Sequence, residues 1–126
     1  MKKVPNSLKI WFIIHFIADI IFGIPLLIAP YWFLGLFGYT VEPLTARLVG
    51  AALIGIGGTS LLIKDKSLEQ FNALLTLKVI WSLSAIIGII LTLTEQTPKF
   101  TWVVLITFII FSSTWIYYKR KLSYLF

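Results

Sequence analysis

Cysteine is absent from this chain, which excludes disulfide exchange, thiol nucleophiles, iron–sulfur ligation and cysteine-based zinc sites within it. Histidine and methionine occur once each, too few for a haem or copper site. Charge is scarce as well. Asp, Glu, Lys and Arg make up 13% of the 126 residues, against roughly 25% in an ordinary soluble domain. Five are acidic and eleven basic, for a net charge of +6. The basic residues form three short clusters beside apolar runs: Lys2, Lys3 and Lys9; Lys64 and Lys66; Lys119, Arg120 and Lys121. That pattern belongs to membrane topology rather than to a phosphate-binding stripe, so no nucleic-acid partner is expected.

Apolar surface is abundant. Hydrophobic residues are 59% of the chain and the mean hydropathy is +0.95, more than so small a globule can enclose. The expected fold is all-α: an integral membrane four-helix bundle forming a single transmembrane domain over 1–126. Its spans are expected at approximately 8–29, 43–63, 70–94 and 100–118, each long enough to cross a hydrocarbon core of about 30 Å. The bilayer is the first expected partner. The first run carries His15 and Asp19 and exceeds a signal-peptide core in length, so it reads as a retained helix, bent near Gly23 and Pro25. Residues 30–42 hold five aromatics and read as an interfacial connector or short surface helix. Pro98 is placed to open the fourth helix.

Four spans put both termini on one side. With the termini and the 64–69 turn inside, that side collects eight basic residues and the other two, Arg47 and Lys99. The expected arrangement is therefore N-in, C-in, in a plasma membrane of bacterial or archaeal type.

Ionisable groups within the spans are costly and mark function by default. Four are expected there: His15, Asp19, Arg47 and Lys78. His15 and Asp19 stand i, i+4 on one face. Lys78 shares its face with Ser82, and Trp81 is its aromatic neighbour in sequence. The expected pairing is Asp19 with Arg47 or Lys78, at the centre of the bundle. The plainer reading is mutual neutralisation that fixes helix register, with Arg47 snorkelling to the outer edge. His15 lacks the partners of a metal ligand, so neither metal nor cofactor is expected. Trp11, Trp81, Trp102 and Trp115 read as interface anchors, Trp81 being the exception if it attends Lys78. In the second span Ala46, Gly50, Ala51, Gly55 and Gly58 are the expected helix-packing residues, on the face that includes Arg47 and Ile54.

The run R-L-V-G-A-A-L-I-G-I-G near the start of the second span, with Arg47, Gly50, Gly55 and Gly57, resembles the DoxX-like group of small bacterial and archaeal membrane proteins. The resemblance implies a four-helix membrane fold, and for some members an association with quinol oxidase or thiosulfate–quinone chemistry. Small multidrug transporters share the layout but carry Glu where Asp19 stands. Membrane sterol isomerases pair a histidine with two intramembrane carboxylates, and here Glu42 is the only nearby substitute for the second.

The expected function is a non-enzymatic one: an intramembrane polar cluster that binds a small lipid-soluble ligand or a partner subunit, a second copy of the chain included. The alternative is proton-coupled transport of a small molecule. A further alternative is an isomerase-like or quinone-linked membrane enzyme.

Overall fold

The structure, a computed structural model, describes residues 3–63 and 65–125. Lys2 and Lys64, which enter the charge-bias argument, lie outside the described residues. All regular structure among the described residues is helical: α1 Asn6–Ile28, α2 Pro30–Gly35, α3 Pro43–Leu62, α4 Leu68–Thr92 and α5 Phe100–Ser123. Four of these, α1, α3, α4 and α5, are long and apolar enough to cross a membrane. The chain divides into two compact units, one of Val4–Lys66 and one running from Ser67.

In the first unit, α1 starts directly behind Pro5, whose carbonyl accepts the Leu8 and Lys9 N–H groups. Pro25 lies inside the helix. Ala29 N–H closes the last turn on the Pro25 carbonyl at 2.8 Å, and Pro30 stops propagation because it disfavours helical geometry in the residue before it. Pro30 then serves as the first residue of α2, a position where its missing N–H costs nothing. The connector is thus a six-residue helix, folded against α1 by an edge-to-face contact of Phe22 and Phe33 at 5.7 Å. The chain turns at Gly38, with φ of 86°, a left-handed conformation that glycine adopts without steric cost. Glu42 caps α3 by accepting from the Leu44 and Thr45 N–H groups, ahead of Pro43 at the first helical position.

α1 and α3 pack antiparallel through glycine. A Cβ on Gly50 would lie 2.7 Å from the Gly23 carbonyl oxygen and 2.8 Å from the Leu27 nitrogen, and one on Gly23 would lie 3.1 Å from the Gly50 oxygen. The two backbones touch at this crossing, which only glycine permits. The buried face of α3 is Ala46, Gly50, Leu53, Gly57 and Ser60. This corrects the expected face. Ala46 and Gly50 are on it, but Ala51 and Gly55 are exposed and Gly58 is half-buried. A Cβ on Gly55 or Gly58 would meet open space. The physical reason is that the closest approach is set by the Gly23–Gly50 backbone contact, and Gly57, seven residues from Gly50, repeats that position two turns later.

In the second unit a capping box starts α4: the Gln70 N–H bonds to the Ser67 hydroxyl at 3.3 Å, and the Ser67 N–H bonds to Gln70 Oε1 at 3.0 Å. This begins the helix two residues before the expected start. Its other end is closed by Thr97, which accepts the Thr94 N–H and donates to the Thr92 carbonyl. α5 opens at Phe100 with Lys99 as cap; Pro98 precedes it and lends its carbonyl to the Thr101 N–H. α5 continues through the basic triplet to Ser123, past the expected end at 118. Lys119 turns back onto α4, where its ammonium donates to Asn72 Oδ1 and Thr76 Oγ1, each at 2.7 Å. Leu122 is fully buried one turn later. These contacts hold the final turns in register, so the charged sequence extends the helix instead of ending it.

Candidate functional site

Two polar sites emerge, one in each unit. In the first, His15 Nε2 lies 3.4 Å from Asp19 Oδ1, an ion pair when the imidazole is protonated. Both residues are 5% exposed. The i, i+4 spacing on α1 brings the side chains together, as the sequence indicates. α3 supplies the seat: a Cβ on Gly57 would lie 2.7 Å from the Asp19 Cβ and 3.3 Å from its Oδ2. The carboxylate therefore rests against bare helix backbone. The antiparallel register sets fully buried Ser60 one turn beyond Gly57, at the level of His15.

Chemically, an adjoining imidazole and carboxylate form a unit that is neutral overall when both are charged. With His15 neutral it holds one proton fewer. No described group of three His, Cys, Asp or Glu side chains has metal-binding geometry.

Arg47 does not join this pair. It is exposed on α3, and among the described residues it makes no ion pair. Two neighbouring positions explain this: Ala46 and Gly50 turn inward at the crossing, so residue 47 points away. Of the two expected partners of Asp19, Arg47 is therefore set aside, and His15 stands beside the carboxylate.

In the second unit Lys78 is fully buried on α4, with Nζ 4.9 Å from the Trp115 ring centroid. A desolvated ammonium over an indole face gains about 2 kcal/mol. Trp115 is 1% exposed and stacks on Phe111 at 5.8 Å. The expected companion was Trp81. That residue follows Lys78 by three positions, but its indole N–H finds no hydrogen-bond partner among the described residues. It is Trp115, which the sequence alone reads as an interface anchor, that faces the cation. Ser82 is buried one turn above Lys78, its hydroxyl donating to the Val79 carbonyl at 3.2 Å. The register of the α4–α5 pair sets buried Ser112 at the same level, its hydroxyl without a hydrogen-bond partner among the described residues.

Sequence reasoning missed Gly57, Trp115 and Lys119. The signal for Trp115 was present: Thr101, Leu105, Ser112, Trp115 and Leu122 share one helical face of α5, and a tryptophan on a face with polar residues belongs inside. No protein-family model, curated protein or solved structure matches the chain.

Proposed function

We propose that the chain is a multi-pass membrane protein whose His15–Asp19 pair, seated on Gly57, binds the polar end of a small lipid-soluble molecule. The membrane reading is supported by an inverted distribution of side chains. His15, Asp19, Lys78, Ser60, Ser82 and Ser112 are buried, whereas Ile10, Ile17, Ile21, Ile80, Ile87 and Ile106 are each about half exposed. Water would reverse that distribution, and hydrocarbon favours it. In this reading the helices form a four-helix bundle, N-in and C-in by the charge bias, in a plasma membrane.

The single observation that carries the ligand reading is the proximity of His15 and Asp19 within a buried glycine-lined seam. Both residues lie on α1, so their mutual contact does not itself tie α1 to α3. A donor–acceptor pair fits a ligand with a carbonyl or hydroxyl head and an apolar body. Membership of the DoxX-like group belongs to the same proposal and makes a quinone a natural first probe. The same pair, by exchanging a proton, also supports the transport alternative.

The test is native mass spectrometry of the protein released gently from its own membrane. The expected result is a discrete retained mass in the wild type that is lost in Asp19→Asn, with the helical circular dichroism of the two proteins equal. A bare chain in both proteins, or a mass retained equally by both, contradicts the proposal.

A further inference from the structure

The basic triplet at the end of α5 is divided by the helix. Lys119 is committed internally to Asn72 and Thr76, while Arg120 and Lys121 are exposed on the opposite side. There they line a groove of about 580 Å³ with Ser113, Ile116, Tyr117 and Tyr124. Lys121 Nζ lies 5.8 Å from the Tyr117 ring centroid. α5 contains no acidic residue, and among the described residues Arg120 forms no ion pair. The groove thus carries two cations with no acidic partner among the described residues. Tyr117 and Tyr124, 58% and 87% exposed, border them with aromatic and hydroxyl surface.

The same helix face continues apolar. Ile110 and Ile106 lie below Tyr117 at alternating steps of three and four residues and are 52% and 55% exposed. At 1.5 Å per residue they stand about 15 and 21 Å from Arg120, close to the depth of one leaflet of a hydrocarbon core about 30 Å thick. One stripe therefore presents, in order, an apolar track, an aromatic rim and two cations. That order matches a phospholipid from acyl chain to phosphate.

We propose that this stripe binds one anionic phospholipid, with its phosphate on Arg120 and Lys121, its glycerol region beside Tyr117, and an acyl chain along Ile110 and Ile106. The charge complementarity selects an acidic headgroup over a zwitterionic one, and Arg120 supplies a fork that pairs with phosphate oxygens bidentately. The other role open to these cations is to complement the negative end of the α5 dipole. That role is indifferent to lipid type. The proposal rests on the membrane-spanning reading of α5 and is separate from the His15–Asp19 site.

The test titrates the full chain in neutral detergent with phosphatidylglycerol or with phosphatidylcholine of the same acyl chains, counting bound lipid by native mass spectrometry. The expected result is one phosphatidylglycerol per chain and no comparable phosphatidylcholine. In Arg120→Gln/Lys121→Gln binding falls about 25-fold, each cation contributing about fivefold. Arg120→Gln alone falls about fivefold, and as a single exposed change it leaves the helix folded. Equal binding of the two lipids, wild-type affinity in the double variant, or displacement of the lipid by inorganic phosphate overturns the proposal. Failure of the spanning reading is recognised separately, because carbonate then strips the protein from membranes. A chain that resists carbonate yet ignores lipid charge refutes the lipid site alone.

Discussion

The Gly50→Ala substitution probes the α1–α3 crossing most sharply. The added methyl would meet the Gly23 oxygen at 2.7 Å, the Leu27 nitrogen at 2.8 Å and the Leu26 Cβ at 3.0 Å. The two nearest are backbone atoms of another helix, which cannot rotate away, so α1 must shift as a body. Overpacking of this kind costs about 1–3 kcal/mol. Alanine also gains about 1 kcal/mol of helix propensity over glycine, which masks part of the loss. Gly55→Ala is the control, because it makes the same chemical change in the same helix with nothing within 4 Å of the new methyl. The propensity term cancels between the two variants. They are expected to differ by about 1–3 kcal/mol, a ratio of about 5 to 150 in the unfolding equilibrium. Unfolding by dodecyl sulfate in maltoside micelles, followed by circular dichroism, reads the difference. Gly55→Ala should be as stable as the wild type or more so, and Gly50→Ala less. Equal midpoints for the two variants refute the glycine crossing.

Three further outcomes are expected. A double-mutant cycle of Lys78→Met and Trp115→Leu should give a coupling of about 2 kcal/mol in the same unfolding assay, whereas additive effects would remove the cation–π contact. Lys119→Met, which leaves Asn72 and Thr76 without their ammonium, should cost about 1.5–3 kcal/mol and lower the helical signal of the last turns of α5; an unchanged midpoint contradicts the clasp. Glu42 lies outside the apolar spans, and hydrogen bonding by the Thr45 side chain, then by the Thr45 and Leu44 N–H groups, holds its carboxyl below the ordinary 4.5. A carboxyl lowered by folding stabilises the folded state above the unfolded value, and that contribution is lost as pH falls through the lower folded value. An acid titration of helix content should therefore show a component in the wild type that Glu42→Gln lacks, and identical acid profiles would exclude the cap.

Much of this architecture is legible in the sequence because a few strong local signals dominate it. Pro30 and Pro98 and the apolar lengths between the polar turns place four long helices within a few residues. The i, i+4 pair His15–Asp19 follows from helical periodicity alone. What the sequence conceals is rotation about the helix axes. In α3 small residues occur on several faces, so composition does not tell Gly57 from Gly55 or Gly58; the Gly23–Gly50 contact decides. Helix five hides Trp115 for a related reason. Tryptophan is common at membrane interfaces, and only its alignment with Thr101, Leu105 and Ser112 betrays an inward face. Lys119 is hidden by its neighbours: three adjacent basic residues read as one exposed cluster, yet successive helix positions point about 100° apart, so one turns in and two turn out.

The membrane path of the chain underlies both binding proposals, and the absence of cysteine makes it directly measurable. Single cysteines placed at the exposed positions Thr40, Asp65, Gln96 and Tyr124 are to be labelled in sealed vesicles with a membrane-impermeant maleimide. Four spans with both termini inside predict that Thr40→Cys and Gln96→Cys react from the outer face only, and that Asp65→Cys and Tyr124→Cys react from the inner face only. Labelling of all four from one face, or of Asp65→Cys and Gln96→Cys from the same face, contradicts the four-span account.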